Sequence, residues 1–274
     1  MNKETVYQHK ELFGHPVGLF ILFLTEMWER FSFYGMKALL LFYLTRYHLF
    51  TDDDGYLLLG SYAALVYAMP VLGGHLADKY IGFRKAITFG AILLVLGHIG
   101  MAYEGHQARV VGEMVERDTV ALQVFYFSLA LIVMGVGFLK SNISSIVGEL
   151  YTENDPRRDS GFTLFYMGIN VGALLATIIC VYLGEEYGWG YGFGAAGIGM
   201  FLGLIVFIGG KKYLEGKGEP VNPELISRRT LGLKTEHWIY ILAILGTVVV
   251  WQMVQRHSIV QMILLGAGAV SLVY

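Results

Sequence analysis

Seven runs without a single Asp, Glu, Lys or Arg decide what this chain can become: residues 55–77, 86–103, 119–139, 160–184, 187–210, 238–255 and 258–274. A helix rises about 1.5 Å per residue, so roughly 20 apolar residues cross a hydrocarbon core of about 30 Å. Each run therefore reads as a transmembrane helix. An eighth stretch, 16–45, has the length and most of the apolar content but carries ionisable residues. Composition agrees: 55% of the 274 residues are hydrophobic and only 15% are charged, where a soluble domain carries about 25% charged residues. A soluble fold is excluded. Glycine occupies 35 positions and proline five, which fits close packing between membrane helices better than disorder. A net charge of -2 argues against a nucleic-acid partner. Cys180 is the single cysteine and reads as a small buried hydrophobe.

Basic residues collect on the cytoplasmic side of membrane proteins. Lys3, Lys10, Lys79, Arg84, Lys85, Arg157, Arg158, Lys211, Lys212, Lys217, Arg228, Arg229 and Lys234 fall on one side of the spans, and only Arg46, Arg109, Arg117 and Arg256 on the other. This places the N-terminus, residues 1–15, in the cytoplasm. A bundle of six spans follows over 16–214, then a basic cytoplasmic linker over 215–236 and a helical hairpin over 237–274. The first span is too long for a signal peptide and is expected to stay in the mature protein. A last span that ends without a polar tail is expected to belong to a longer chain, because a terminal carboxylate near hydrocarbon costs at least a few kcal/mol.

The first span holds EMWERFSFYGMK, residues 26–37, with two acids and two bases where apolar residues are expected. At 100° per residue Glu26, Glu29, Arg30, Phe33, Tyr34 and Lys37 share one face. Such a stripe cannot face lipid; it faces a water-filled cavity or complementary charge, and marks an ion or proton path. Glu26 and Arg30 stand four apart with the acid first, the favourable order for a helix ion pair. Two carboxylates beside one arginine suit proton uptake, since their repulsion favours one bound proton while Arg30 keeps the other ionised. A purely structural salt-bridge network is the alternative.

Three further segments stand out. GGHLADKYIGFRK (73–85) combines glycines, an acid and trailing bases in a loop; Gly74 is expected to let two helices approach, and Asp78 to pair with Arg84 or cap a neighbouring helix. Tyr67 lies eleven residues earlier. GVGFLKSN (135–142) puts Lys140 at the end of a long apolar run, where a snorkelling lysine and a cavity cation are both open readings. Its Gly-x-Gly, with no strand before it, is no nucleotide motif. FYMGINVGALL (165–175) buries Asn170 in an uncharged span, as an interhelical clamp or as a donor and acceptor for a ligand's amides. No His-Glu-x-x-His or Gly-x-Ser-x-Gly occurs, so a membrane-embedded enzyme is a weak alternative.

These motifs resemble, in order and spacing, those of the proton-coupled oligopeptide transporters, a branch of the major facilitator superfamily, and the sequence resembles its bacterial members. EMWERFSFYG matches Glu-x-x-Glu-Arg-Phe-x-Tyr-Tyr-Gly with Phe33 in place of the first tyrosine. GVGFLKSN matches Gly-x-Gly-x-x-Lys-Pro-Asn with Ser141 for proline, and FYMGIN matches Phe-Tyr-x-x-Ile-Asn. Where animal members carry a histidine, seven positions before Tyr67, this chain has Gly60. The resemblance implies an all-α fold: a major facilitator N-terminal six-helix bundle plus the start of an interdomain transmembrane hairpin. It implies inner-membrane symport of di- and tripeptides with protons, no cofactor, and a lipid bilayer as surroundings. Glu26, Glu29, Arg30 and Lys140 would couple protons; Arg30, Tyr34, Lys37, Tyr67, Lys140 and Asn170 would bind substrate; Gly74, Asp78 and Arg84 would form a cytoplasmic gate. A relative carrying nitrate or a larger anionic solute is the alternative within transport.

Overall fold

The structure, a computed structural model, describes residues 10–256 and residue 260. A strand pair, β1 (Glu11–Leu12) and β2 (His15–Pro16), leads into α1 (Val17–Phe42). Then come α2 (Asp52–Leu76), α3 (Phe83–Met101), α4 (Thr119–Glu149), α5 (Arg158–Tyr187) and α6 (Trp189–Gly210). Strands β3 (Arg109–Val111) and β4 (Met114–Glu116) fill the loop before α4. The linker holds α7 (Pro223–Ser227) and the hairpin of β5 (Arg229–Thr230) and β6 (Leu233–Lys234), and ends in α8 (Thr235–Gln255). α2 to α6 and α8 are long and apolar enough to cross a membrane; α1 equals them in length at 26 residues but carries the ionisable stripe. The protein is a multi-pass helical membrane protein, as expected, with strands only in short two-stranded hairpins among the described residues. The second helix of the expected terminal hairpin and residues 1–9 lie outside the described residues, except for Val260.

Several helices outrun the charge-free runs that located them, because a helix ends where its backbone groups find other partners and not where charge first appears. α4 passes through Lys140 and continues to Glu149. Its first turn is capped by Asp118, whose carboxylate accepts from the Ala121 amide at 3.0 Å. α2 starts earlier than its apolar run: Thr51 caps the Asp54 amide, and Asp52, Asp53 and Asp54 occupy the positive end of the helix dipole. α1 and α2 both finish in a turn of π-helix, Tyr43–Tyr47 and Ala77–Ile81.

α1 packs against α5 and α6, α3 against α4 and α6, and α4 also against α2, while α8 lies outside on α4 and α2. Glycine makes the α4 crossings possible. A Cβ on Gly73 would stand 2.0 Å from the Gly137 carbonyl oxygen, and one on Gly90 would stand 2.6 Å from that of Gly135. The Gly-x-Gly of α4 is thus two flat spots, one for α2 and one for α3, where the backbones touch. Gly74 stands at the same crossing, where a Cβ would lie 3.0 Å from the Ser141 hydroxyl oxygen of α4, while the backbone-to-backbone contact falls on Gly73.

The linker straps one end of the bundle. The Arg84 amide donates to the Gly218 carbonyl (2.9 Å), the Gly218 amide to Glu149 (2.7 Å), and Lys85 pairs with Glu236 (2.6 Å). At the same end His15 meets the Tyr151 hydroxyl at 2.7 Å, and Arg157 reaches Glu11 at 2.7 Å.

Candidate functional site

The helical face carrying Glu26, Glu29 and Arg30 turns inward, and all three side chains are buried. Arg30 sits between the acids: its Nε lies 3.1 Å from Glu26 Oε1 and also pairs with Glu29 Oε2. Its guanidinium stands over the Phe33 ring, 5.3 Å from the centroid. Phe33, which departs from the motif, therefore keeps a ring beneath the cation while giving up a hydroxyl.

Two acids and one guanidinium leave the cluster one negative charge in excess if all are ionised, and its hydrogen bonds are incomplete. Among the described residues Glu26 Oε2, Glu29 Oε1 and Arg30 Nη2 are buried without a partner, as are the Ser61 and Tyr62 hydroxyls on α2. A buried unpaired polar group is costly, so such a concentration marks a place that receives something: a proton, water or a ligand group. Tyr62 is close enough for its electrostatics to be coupled to Glu29 and Arg30, and Lys140 on α4 interacts in the same way with Glu26.

Lys140 is half-buried, and its ammonium lies over the Tyr67 ring at 4.6 Å from the centroid. α4 runs unbroken past it, because Ser141 supplies the amide a proline would lack; the Ser141 hydroxyl also donates to the Pro70 carbonyl of α2 at 3.3 Å. Tyr34 and Lys37 do not join the buried cluster. They are half-buried and line, with Ala38, Ala173 and Thr177, a cavity of about 320 Å³ between α1 and α5.

Asn170 is exposed on α5, and its amide donates only to the Tyr166 carbonyl one turn back (3.2 Å), so it clamps no second helix among the described residues. α5 turns Gly168 and Gly172 to α1, where a Cβ would meet the backbone of Phe23 and Met27, and leaves Asn170 on its open side. The expected latch is rearranged: Arg84 pairs with Glu219 at 2.8 Å, and Asp78 is exposed with no hydrogen bond or ion pair among the described residues. Glu219 had no motif to announce it, since it lies 135 residues from Arg84 in an irregular linker. Tyr62 was equally silent, one hydroxyl within an apolar run.

Every candidate in the cluster and its surroundings comes from α1, α2, α4 or α5; α3 and α6 contribute packing. Membrane-length helices packed around a charged, under-satisfied interior, with polar residues on the open helices, define a multi-pass membrane bundle built around a polar site. The chain belongs to the POT family, whose model matches residues 84–233. It is 38% identical over 254 residues to a "Di-/tripeptide transporter" of Lactococcus lactis subsp. lactis (strain IL1403), covering 89% of this chain and 48% of the relative. It is 45% identical over 229 residues to the "Uncharacterized transporter YclF" of Bacillus subtilis (strain 168), covering 81% and 44%. Among solved structures it resembles a peptide transporter POT in complex with sulfate, at 39% identity and a TM-score of 0.70, over 89% of this chain and 47% of that one. The chain thus spans about half the length of the relatives it matches.

Proposed function

We propose that this chain serves, within a two-bundle transporter, as the bundle that binds the coupling proton and one end of a di- or tripeptide during symport into the cell. The observation that carries this reading is the buried Glu26–Arg30–Glu29 cluster with its unpartnered oxygens and guanidinium nitrogen. One arginine cannot neutralise two buried carboxylates. A proton taken up by either acid removes the excess charge and releases Arg30 from one of its two pairings. The freed cation, with Lys140 and Lys37, then attracts a peptide carboxylate, so proton and substrate binding share the same ion pairs. Tyr34, Tyr67 and Asn170 would offer hydroxyl and amide groups to the peptide backbone. Rocking of one bundle against the other around a site near the bilayer midplane would alternate access. Gly74, Asp78 and Arg84 lie at the end that would open to the cytoplasm, with Arg84 held by Glu219.

The proton is the coupling ion and no cofactor is required; the protein is a transporter and not an enzyme, in an inner membrane with its N-terminus in the cytoplasm. The basic residues concentrated at the strapped end support that orientation. The test is uptake of radiolabelled dipeptide by the complete transporter in proteoliposomes, with and without an imposed pH gradient. Glu29→Gln abolishes gradient-driven accumulation and spares exchange without a gradient, since it keeps size and much of the hydrogen bonding but removes a titratable group. Accumulation at the unmodified level would make Glu29 structural.

A further inference from the structure

The linker hairpin makes a tight turn out of a residue that turns avoid. The register Thr230↔Leu233 and Arg229↔Lys234 leaves a two-residue loop, Leu231-Gly232. Both residues have positive φ, 52° and 82°. Such turns favour Asn-Gly or Asp-Gly, because a branched apolar side chain gains nothing from the left-handed conformation. Leu231 nevertheless occupies the first position and is 86% exposed. Burial within the bundle does not compensate for the strained backbone.

Three observations say what does. Lys234 is followed at once by Thr235, the first residue of the membrane helix α8, so the hairpin sits where the chain enters the bilayer. The Trp238 indole donates to the Thr230 carbonyl at 2.9 Å, fixing the hairpin to the first turn of α8 through a residue type that prefers the membrane interface. Arg228, Arg229 and Lys234 surround the turn, are exposed, and pair with no carboxylate among the described residues. We propose that the β5–β6 hairpin is a membrane-surface anchor for anionic phospholipids: Leu231 inserts below the phosphates and the three cations lie among them. The same turn recurs at Phe13-Gly14 just before α1, with Phe13 also 86% exposed, but there Glu11 is tied to Arg157 and no comparable cationic ring surrounds the tip. Charge is what sets the linker hairpin apart, and the proposal stands independently of what the protein transports.

The test uses the full chain in nanodiscs of phosphatidylcholine, alone or mixed with phosphatidylglycerol. An environment-sensitive fluorophore is placed at Leu231→Cys in a Cys180→Ser background. In phosphatidylglycerol discs the label becomes blue-shifted and shielded from the neutral aqueous quencher acrylamide. Three basic side chains near an anionic surface give about a hundredfold preference for phosphatidylglycerol around the protein, which Arg228→Gln, Arg229→Gln and Lys234→Gln together remove. Leu231→Asn separates anchoring from turn stability, because asparagine suits the left-handed position. It keeps the fold by circular dichroism and weakens retention of phosphatidylglycerol through purification. Equal quenching in the two lipids, or retention unchanged by both the triple variant and Leu231→Asn, would overturn the proposal.

Discussion

Two groups of ion pairs in this molecule look alike on paper and differ in kind. On α1, Glu26, Glu29 and Arg30 are buried, and several of their polar atoms lack partners. At the strapped end, Arg84–Glu219 and Lys85–Glu236 close at 2.8 and 2.6 Å, but Glu219 and Lys85 keep 53% and 39% of their side chains in contact with solvent. Water screens the second group and lets either partner leave cheaply. The first is buried away from bulk solvent, so a change of protonation or partner is screened far less. Arg84 also has buried nitrogens without partners among the described residues, Nε and Nη2, but its acid Glu219 stays in water, so the set sealed on both sides is the responsive one and the strap pairs hold the linker in place.

Lys140 offers the sharpest test of that contrast, since it faces Tyr67 at the edge of the buried cluster. Lys140→Ala should eliminate proton-driven uptake by the complete transporter, and Lys140→Arg should restore it only in part, because a planar guanidinium sits differently and does not titrate. Uptake is normalised to protein that stays monodisperse in detergent. Near-normal transport by the alanine variant would remove Lys140 from the responsive set and leave it a snorkelling lysine.

Next in size is the stability of the cluster itself. Arg30→Ala strands two buried carboxylates and should cost about 3–5 kcal/mol, read as a lower thermal inactivation temperature at neutral pH. Glu26→Gln in the same background should recover part of that loss. Independence of the two substitutions would mean the cluster is not one unit.

A smaller effect is expected at His48, in the loop between α1 and α2. Its ring packs edge-on against Tyr43 with centroids 4.6 Å apart, and Arg117 donates to the His48 carbonyl at 2.7 Å. Burial first, and the Arg117 charge second, push its pKa down from 6.5 to about 4. The folded state therefore resists a proton that the unfolded state accepts, so this contribution is complete above pH 6.5 and is lost as pH falls toward 4. Thermal melts across that window should show the decline, and His48→Phe should flatten it. The smallest change belongs to the strap: Lys85→Ala should cost no more than about 1 kcal/mol, less at high salt. A larger loss would erase the distinction between the two groups of pairs.

Local periodicity carried much of this reading. The charge-free runs located the membrane helices, and a pitch of 3.6 residues put Glu26, Glu29 and Arg30 on one face, because both follow from backbone geometry over a few turns. Phe33 and Ser141 could be seen to depart from their motifs, but that one keeps a ring under Arg30 and the other a bond to Pro70 required the packed helices.

What the sequence alone determined was therefore the membrane class, the helices and the inward stripe of charge. Which members of that stripe are sealed and which stay open was decided by packing: Glu26, Glu29 and Arg30 are enclosed, while Tyr34 and Lys37 border a cavity beside α5. Packing also chose Glu219 over Asp78 for Arg84, and put the backbone contact with α4 at Gly73 while Gly74 meets the Ser141 side chain. These outcomes depend on where a second helix or a distant linker comes to rest, and a shift of one residue around a helix moves a side chain by 100°, from contact to solvent. Neighbours in the chain set the pitch; only neighbours in space set the partner.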